Sequence, residues 1–269
     1  MKALIGYSGF VGSNLKKKIK FQKLYNSSNI HKIKDHFFEE VYCAAPHGIK
    51  FLSNKYPKKD KKIILKLISD LKNVRCKKFI HFSTVDVYPY LPGLNEDFNI
   101  FKSKTNHYGE NRKLIEKFVV NHFRDHLIVR LPALFGQGLK KNALFDLIIN
   151  KKVMTNKKSI FQWYNLNNLA KDVSMLKKNC IKNINLVSEP ISMNDIVKCL
   201  RIKRVNFGKG LLKYNFYTKF SYLFKKRKYY ISYKKEILKE IKNFFISNKI
   251  YNNRLINLSE KNNITKKFK

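Results

Sequence analysis

Acidic residues are scarce in this chain of 269 residues. Asp and Glu together number 18 against 57 Lys and Arg, which gives a formal net charge of +39. A charge of this size attracts polyanions and raises the question of nucleic-acid or anionic-membrane binding. The excess is almost entirely Lys, however, scattered over predicted solvent faces instead of gathered into one arm. Arginine, which reads bases and phosphates through two parallel hydrogen bonds, occurs only at Arg75, Arg112, Arg124, Arg130, Arg201, Arg204, Arg227 and Arg254. We therefore expect no specific nucleic-acid partner, and a positive field that steers anionic substrates.

Cysteine and long apolar runs are also in short supply. The four cysteines are Cys43, Cys76, Cys180 and Cys199, and they form no Cys-x-x-Cys pair and no metal-ligand spacing. They are typical of reduced residues in a core, so we expect no metal site. No apolar run approaches the length of a membrane span, and no charged region followed by an apolar signal segment opens the chain. These absences favour a cytoplasmic protein without a membrane span.

Glycine is sparse as well, yet three of the 10 glycines stand close together near the first residue. An apolar segment precedes Gly6, Gly9 and Gly12, and a helical apolar pattern follows them. In a nucleotide-binding turn, Gly6 supplies the tight turn, Gly9 lets backbone N–H groups approach a pyrophosphate, and Gly12 lets the helix pack closely on the sheet. The helix N-terminus then faces the phosphates. The pattern predicts dinucleotide binding, and the alternative is an ordinary glycine-rich turn.

Apolar periodicity predicts strands that alternate with helices over the first half of the chain. After the first strand, the predicted strands cover 23–27, 40–46, 78–84 and 127–132, and the predicted helices cover 60–73 and 108–123. This alternation is typical of an α/β protein with a Rossmann-like, doubly wound parallel sheet. Beyond residue 138 the pattern loosens, with helices predicted at 142–150, 191–200 and 234–245 and short strands at 161–164 and 184–187. The helix at 191–200 is predicted to be capped by Ser192, with Asp195 three residues later.

The domain organisation follows from this change of pattern. We expect an NAD(P)-binding domain at 1–138, to which segments from 160–190 can return. A small α+β portion for the substrate is expected at 139–251, and a flexible basic tail at 252–269.

Three hydroxyl-bearing and cationic residues should converge at the carboxyl edge of this sheet, where open α/β folds bind ligands. Thr84 follows Ser83 at the end of a predicted strand, Tyr108 begins a helix, and Arg112 lies one turn later on the same helix face. A phenol can take or give a hydroxyl proton while a hydride moves to or from nicotinamide. A neighbouring cation favours the phenolate and lowers its pKa.

Five motifs in order give the chain a specific resemblance. They are Gly6-Tyr7-Ser8-Gly9-Phe10-Val11-Gly12, Ala44-Ala45, Ser83-Thr84 with Val87-Tyr88, Tyr108-Gly109-x-x-Arg112-x-x-x-Glu116, and Arg130-Leu131-Pro132-Ala133-Leu134-Phe135-Gly136. Over roughly the first 200 residues the chain resembles the NAD-dependent epimerase/dehydratase family, which belongs to the extended short-chain dehydrogenase/reductase superfamily and acts on nucleotide sugars.

The resemblance implies a set of site residues. It makes Tyr108 the acid/base, Thr84 its hydroxyl partner, and Arg112 the support of the ribose and the phenolate. The cofactor-binding positions that it implies are Gly6, Tyr7, Ser8, Gly9, Phe10, Val11, Gly12, Asn26, Ser27, Ala44, Ala45, Pro46, Ser83, Arg112, Leu131 and Pro132. Substrate contacts are expected at Asp86, His107, Ala133 and Leu134. For Asp86 the alternative is a loop residue that caps a backbone turn, and for His107 it is an ordinary helix start.

The chain departs from the family pattern at three places. Arg112 stands where the family has Lys, and the two residues are not interchangeable. After the second strand, where the family has an Asp that selects NAD, the chain has Asn26, Ser27, Ser28 and Asn29, so both NAD and NADP remain open. The part after residue 200 is shorter than the usual substrate domain.

Three functions compete on this evidence. The first is an NAD(P)-dependent nucleotide-sugar epimerase, dehydratase or reductase in surface-polysaccharide synthesis, with a nucleotide-sugar-like small molecule as its partner. The second is a non-catalytic relative that binds the dinucleotide as a structural or sensing ligand. The third, a polyanion-binding protein, ranks last. The resemblance also implies a homodimer through the helices predicted at 60–73 and 108–123, although their Lys-rich faces oppose this contact.

Overall fold

The computed structural model describes residues 1–248 of the chain. Its strands are β1 (Lys2–Ile5), β2 (Lys23–Tyr25), β3 (Phe37–Cys43), β4 (Arg75–Thr84), β5 (His126–Leu131), β6 (Ala133–Phe135), β7 (Val153–Thr155), β8 (Ile160–Phe161), β9 (Trp163–Asn165), β10 (Asn183–Asn185), β11 (Ile191–Ser192) and β12 (Phe207–Gly210). Its helices are α1 (Phe10–Lys16), α2 (Lys50–Lys55), α3 (Pro57–Leu71), α4 (His107–His122), α5 (Ala143–Ile148), α6 (Leu169–Lys178) and α7 (Met193–Leu200), and residues 234–248 are also helical.

Six strands form one parallel sheet in the order β2-β1-β3-β4-β5-β10. The strand order reverses between β1 and β3, because β2 lies on one side of β1 and all later strands lie on the other. In open α/β sheets such a reversal leaves a crevice at the carboxyl ends of the two strands, and ligands bind there. The Rossmann-like parallel α/β fold predicted from the sequence is confirmed.

Helices cover both faces of this sheet, which makes it doubly wound. Leu4 on β1, Tyr42 on β3 and Ile80 on β4 are in register and pack toward the face that α1 and α6 cover. The alternate residues Ala3 and Val41 face α3 and α4. Because both faces are buried, the strands read as nearly continuous apolar runs, as is usual for parallel sheets.

Helix α3 illustrates how the sequence sets these layers. Pro57 occupies its first turn, where the missing N–H costs nothing. Ile64, Leu67 and Leu71 then recur at helical spacing and are buried against the sheet. Each such side chain stabilises the fold by about 1.5–3 kcal/mol. The helix begins at Pro57, earlier than the Asp60 at which the predicted helix starts.

The later part of the chain adds three two-stranded sheets and a further apolar core around Trp163 and Phe135. The strand predicted at 161–164 is divided into β8 and β9 at Gln162. The buried Gln162 amide donates to the backbone oxygens of Ser188 (2.7 Å) and Phe216 (2.8 Å), so this position is held by other segments. Helix α7 begins with the predicted Ser192 cap, which accepts from the backbone N–H of Asp195.

Within residues 1–248, no helix is both long and apolar enough to cross a membrane. The basic tail predicted at 252–269 lies outside the described residues, as does the end of the portion predicted at 139–251.

Candidate active site

The glycine turn lies at the crevice between β1 and β3. Gly6 has a φ of +80°, which favours glycine, and a Cβ there would meet the backbone of Ala44 at 2.9 Å. A Cβ on Gly12 would stand 2.1 Å from the Gly6 oxygen, so α1 packs against the turn only because Gly12 has no side chain. Gly9 is the N-cap of α1 and provides no side-chain cap to the first helical N–H groups. The turn therefore presents uncapped backbone donors in a close-packed cradle that suits a pyrophosphate.

The loop after β2 lies beside this turn and contains no carboxylate. The Asn26 Nδ2 donates to the Tyr7 hydroxyl at 3.3 Å, which joins the loop to the glycine turn. The Asn26 Oδ1 accepts from the backbone N–H of Ser28 at 2.9 Å and from its hydroxyl at 2.6 Å. Ser8 and Ser27 are exposed. Hydroxyl and amide groups, with no fixed negative charge, thus line the loop beside the glycine turn.

Thr84 and Tyr108 are brought together at the same edge by β4 and α4. Gly109 makes this possible, because a Cβ there would lie 1.9 Å from the backbone oxygen of Asp86. Asn106 caps α4 by accepting from the N–H of Gly109, and the backbone N–H of Tyr108 donates to the Asn54 side chain at 2.9 Å. Tyr108 is 7% exposed.

Arg112 stacks on Tyr108, with its guanidinium carbon 4.3 Å from the centre of the phenol ring. It forms an ion pair with Asp60 at 2.8 Å and donates to the backbone oxygen of His47 at 2.7 Å. Arg112 is thus engaged with the segment from β3 to α3, and it is 3% exposed. This pairing was missed in the sequence because Asp60 and Arg112 lie 52 positions apart.

The pKa of Tyr108 is raised above its ordinary value. Burial is the largest cause, and the negative charge of Asp86 also raises the pKa, while Arg112 and a hydrogen bond from Thr84 lower it. The cation lowers the pKa as the sequence predicted, but desolvation of the phenolate outweighs the cation, so the net direction is upward.

Asp86 belongs to a polar cluster that the sequence did not reveal. Its Oδ1 accepts from the Lys50 ammonium (2.6 Å), the Tyr214 hydroxyl (2.9 Å) and the Tyr90 hydroxyl (3.2 Å). The alternative of a turn-capping Asp86 is wrong, because Thr84 supplies that cap by accepting from the Asp86 backbone N–H. The four residues come from widely separated positions, so no local spacing could have predicted the cluster.

The remaining predicted residues lie at the ends of β5 and β3 and at the start of α4. Leu131 ends β5 directly opposite Thr84, and Pro132, Ala133 and Leu134 follow it at the same edge. His107 is exposed at the first position of α4. Ala44, Ala45 and Pro46 follow β3 at the crevice and are half-buried.

Ser83 faces away from the crevice into a buried ion pair. Its hydroxyl donates to Glu116 on α4, which pairs with Arg130 on β5 at 2.8 Å. Arg130 also donates to the hydroxyl of Tyr88 at 2.6 Å. This network ties α4 to the two strands that carry Thr84 and Leu131, so it fixes the position of Tyr108.

Comparison with known proteins agrees with this geometry. The family model described as "NAD dependent epimerase/dehydratase family" matches residues 21–169, more than half of the chain, and the glycine turn precedes the matched range. No curated protein matches the chain.

Solved structures of nucleotide-sugar enzymes share the fold. A mutant UDP-glucuronic acid 4-epimerase from Bacillus cereus, bound to UDP-4-deoxy-4-fluoro-glucuronic acid and NAD, is 16% identical, with a TM-score of 0.70 over 93% of this chain and 100% of that one. UDP-glucose 4-epimerase from Thermotoga maritima, with UDP-glucose, is 13% identical, with a TM-score of 0.66 over 82% and 91%. An NAD-dependent NDP-hexosamine 5,6-dehydratase of tunicamycin biosynthesis is 17% identical, with a TM-score of 0.63 over 78% and 84%. At these identities the likeness shows the fold.

Proposed function

The chain belongs to the NAD-dependent epimerase/dehydratase family, and from this premise we propose that it is an enzyme that epimerises, dehydrates or reduces a nucleotide sugar for surface-polysaccharide synthesis. The observation that carries the proposal is the placement of Thr84 and Tyr108 at the sheet edge that also holds the glycine turn. A cofactor cradle and a hydroxyl pair for acid/base chemistry therefore open onto one crevice.

We propose NAD or NADP as the cofactor, and the family's description names NAD. When bound, its nicotinamide supplies a hydride acceptor or donor. The turn formed by Gly6, Gly9 and Gly12 fits a pyrophosphate, because the missing side chains at Gly6 and Gly12 let α1 pack closely on the turn and the first N–H groups of α1 have no side-chain cap. Tyr7, Asn26 and Ser27 would hold the adenosine ribose. With no carboxylate in that loop to repel a 2′-phosphate, we expect NADP to be accepted as well as NAD.

The chain's own residues supply the proton chemistry. The Tyr108 phenolate takes the proton from a sugar hydroxyl, or the phenol returns it, while the Thr84 hydroxyl hydrogen-bonds the same substrate oxygen. Arg112 lies against the Tyr108 ring and favours the phenolate electrostatically. Because its guanidinium is already paired with Asp60 and the His47 oxygen, we assign Arg112 to this electrostatic role ahead of ribose binding.

The two predicted portions would divide this work. We propose that the cofactor lies on residues 1–138, completed by α6 and β10, and that the sugar lies between this portion and residues from 139–251 such as Tyr214. Substrate contacts are proposed for Asp86, His107, Ala133 and Leu134. The four cysteines are free, which supports work in the reducing cytoplasm.

A homodimer is proposed through the outer faces of α3 and α4. Ile63 and Leu65 on α3 and Val120 on α4 are between 45% and 51% exposed, so both helices carry apolar side chains that a second copy would cover. Sedimentation of the purified protein at physiological and low salt would report the mass, and the Lys-rich rims predict a tighter dimer as salt rises.

The testing experiment titrates NADH and NADPH in parallel by nicotinamide fluorescence, then measures turnover of UDP-glucose and UDP-glucuronic acid. Replacing Tyr108 by Phe should reduce turnover by about 10²–10⁴-fold, since the acid/base group is lost, and leave cofactor affinity within about twofold. Tyr222→Phe is the matched control, because Tyr222 is 62% exposed and distant in sequence. A Tyr108→Phe variant that loses affinity but keeps turnover would contradict the assignment.

A non-catalytic relative is the second candidate, and the engagement of Arg112 with Asp60 favours it. This candidate expects saturable cofactor binding with no turnover of either nucleotide sugar and no change in the redox state of the bound cofactor. Binding of neither NADH nor NADPH would count against both candidates.

A further inference from the structure

Lys50 is a half-buried cation beside the candidate acid/base pair, and neither the motifs nor the comparisons assign it a role. Its ammonium contacts the Asp86 carboxylate at 2.6 Å, the Tyr90 hydroxyl at 2.6 Å and the Tyr214 hydroxyl. An ammonium has three N–H donors, so these three acceptors satisfy all of them. Burial lowers the pKa of Lys50, but attraction to Asp86 and Tyr90 and the hydrogen bonds to both together outweigh it, so the pKa is raised and the group stays charged.

The cluster reaches Tyr108 through Thr84. Three donors converge on the Asp86 Oδ1, while its Oδ2 lies 3.4 Å from the Thr84 hydroxyl, which can donate to it. The Thr84 hydroxyl also faces the Tyr108 phenol, and its single proton is donated either to Asp86 or to the phenol oxygen. Lys50 therefore lies at the end of a chain of contacts that passes through Asp86 and Thr84 to the phenol.

The fold supports a role in positioning. Lys50 begins α2, and the neighbouring Gly48 lies against Tyr108, because a Cβ there would meet the phenol oxygen at 3.6 Å. Helix α2 directs Lys50 inward while Phe51 and Leu52 are 73% and 45% exposed. A helix that buries its polar side and exposes its apolar side is held by polar contacts, and Lys50 makes three of them.

We infer that Lys50 is a positioning residue of the acid/base site, which holds and neutralises Asp86 so that Thr84 and Tyr108 face the substrate hydroxyl. The inference rests on the proposed function, since it assumes that Tyr108 exchanges a proton with substrate. It adds a requirement for a cation that no motif of the chain contains.

The charges that face Tyr108 determine in which direction each substitution should shift its pKa. Asp86 raises the phenol's pKa and Arg112, itself paired with Asp60, lowers it. Lys50 lies against Asp86, Tyr90 and Tyr214 and offsets the carboxylate. Without Lys50 the uncompensated Asp86 charge raises the pKa of Tyr108 further, whereas without Asp86 the pKa falls. The two substitutions thus shift the rising limb of the pH–rate profile in opposite directions, which a merely structural role would not do.

The test compares the full-length Lys50→Met, Lys50→Arg, Asp86→Asn and Lys50→Met/Asp86→Asn proteins on UDP-glucose and UDP-glucuronic acid with NAD. We expect Lys50→Met to move the limb up by about one pH unit, equal to about tenfold in rate below the limb. Asp86→Asn should move it down, the double variant should return the limb near its original position, and Lys50→Arg should retain most of the rate. Lys55→Met on the same helix is the matched control, since Lys55 is exposed and outside the cluster.

A second readout does not depend on turnover. In protein labelled with ¹⁵N at the lysine side chains, the Lys50 ammonium signal is identified by its loss in Lys50→Met. It should exchange slowly with solvent in the wild type and rapidly in Asp86→Asn. NADH affinity serves as the folding check and should stay within about twofold in all variants.

The results distinguish a failure of the Lys50 role from a failure of the proposed function. If the wild type converts a sugar and Lys50→Met has the same pH–rate profile, the role of Lys50 is overturned and the proposed function stands. The same holds if both single variants shift the rising limb in the same direction. Rapid exchange of the Lys50 ammonium in the wild type also overturns it. Absence of wild-type turnover on both sugars overturns the proposed function for these substrates and, with it, the role of Lys50 in their conversion.

Discussion

The buried ion pair between Glu116 and Arg130 helps to position Tyr108, and its loss should lower the free energy of unfolding more than the loss of an exposed ion pair. The two side chains are 1% and 5% exposed, and Glu116 accepts from the Arg130 Nε and from a terminal nitrogen at 2.8 Å. Glu116→Gln keeps the shape but removes the charge, so the guanidinium is left buried without a counter-ion. Breaking one partner of such a pair costs about 3–5 kcal/mol. For a chain of this size, that loss corresponds to a Tm lowered by about 6–20 °C.

The matched control is Glu39→Gln, which breaks an ion pair with Lys77 of similar length, 2.9 Å, whose side chains are 51% and 64% exposed. Because solvent screens that pair, its loss should cost below about 1 kcal/mol. Urea unfolding at pH 7, followed by circular dichroism, gives both free energies of unfolding. If Glu116→Gln is destabilised no more than Glu39→Gln, burial does not make this pair important and the reasoning is refuted.

Three further predictions follow from the same geometry. Gly12→Ala should lower NADH affinity by at least about tenfold, because the new Cβ would lie 2.1 Å from the Gly6 oxygen. Gly210→Ala is the control, because its Cβ would meet its nearest neighbour at 3.7 Å. Equal affinities of the two variants in fluorescence titrations would contradict binding of the cofactor at the glycine turn. Arg112→Lys should lower the free energy of unfolding in urea by about 1–3 kcal/mol, since an ammonium cannot keep both the ion pair with Asp60 and the hydrogen bond to the His47 oxygen in the same geometry. An unchanged urea midpoint would argue against that double contact. Burial lowers the pKa of His81 from 6.5 to about 4, so its contribution to stability is complete above pH 6.5 and is lost as the pH falls toward 4. The wild type should therefore lose more unfolding free energy between pH 7 and pH 4.5 than His81→Phe does, by up to about 3 kcal/mol. Equal losses would refute the lowered pKa of His81.

The sequence determined the parts of this protein that depend on local pattern. Apolar runs and helical spacing are short-range properties, so they predicted the parallel sheet, α3, α4 and the capping box at Ser192. The glycine turn was predictable because Gly6 and Gly12 meet within seven residues. The tyrosine, threonine and glycine motifs predicted the family for the same reason, since each is a short segment with its own chemistry.

Tertiary structure alone decided which side chains meet and which charges prevail. Lys50, Asp86, Tyr90 and Tyr214 converge from as many as 164 positions apart, and the Asp60–Arg112 pair joins two helices across 52 positions. Burial also decided the net direction of the Tyr108 pKa: Arg112 lowers the pKa as expected, but desolvation depends on the surroundings of the phenol and outweighs the i+4 neighbour. Spacing along a chain specifies what one element presents, whereas contacts between elements, and the desolvation that they impose, exist only after packing.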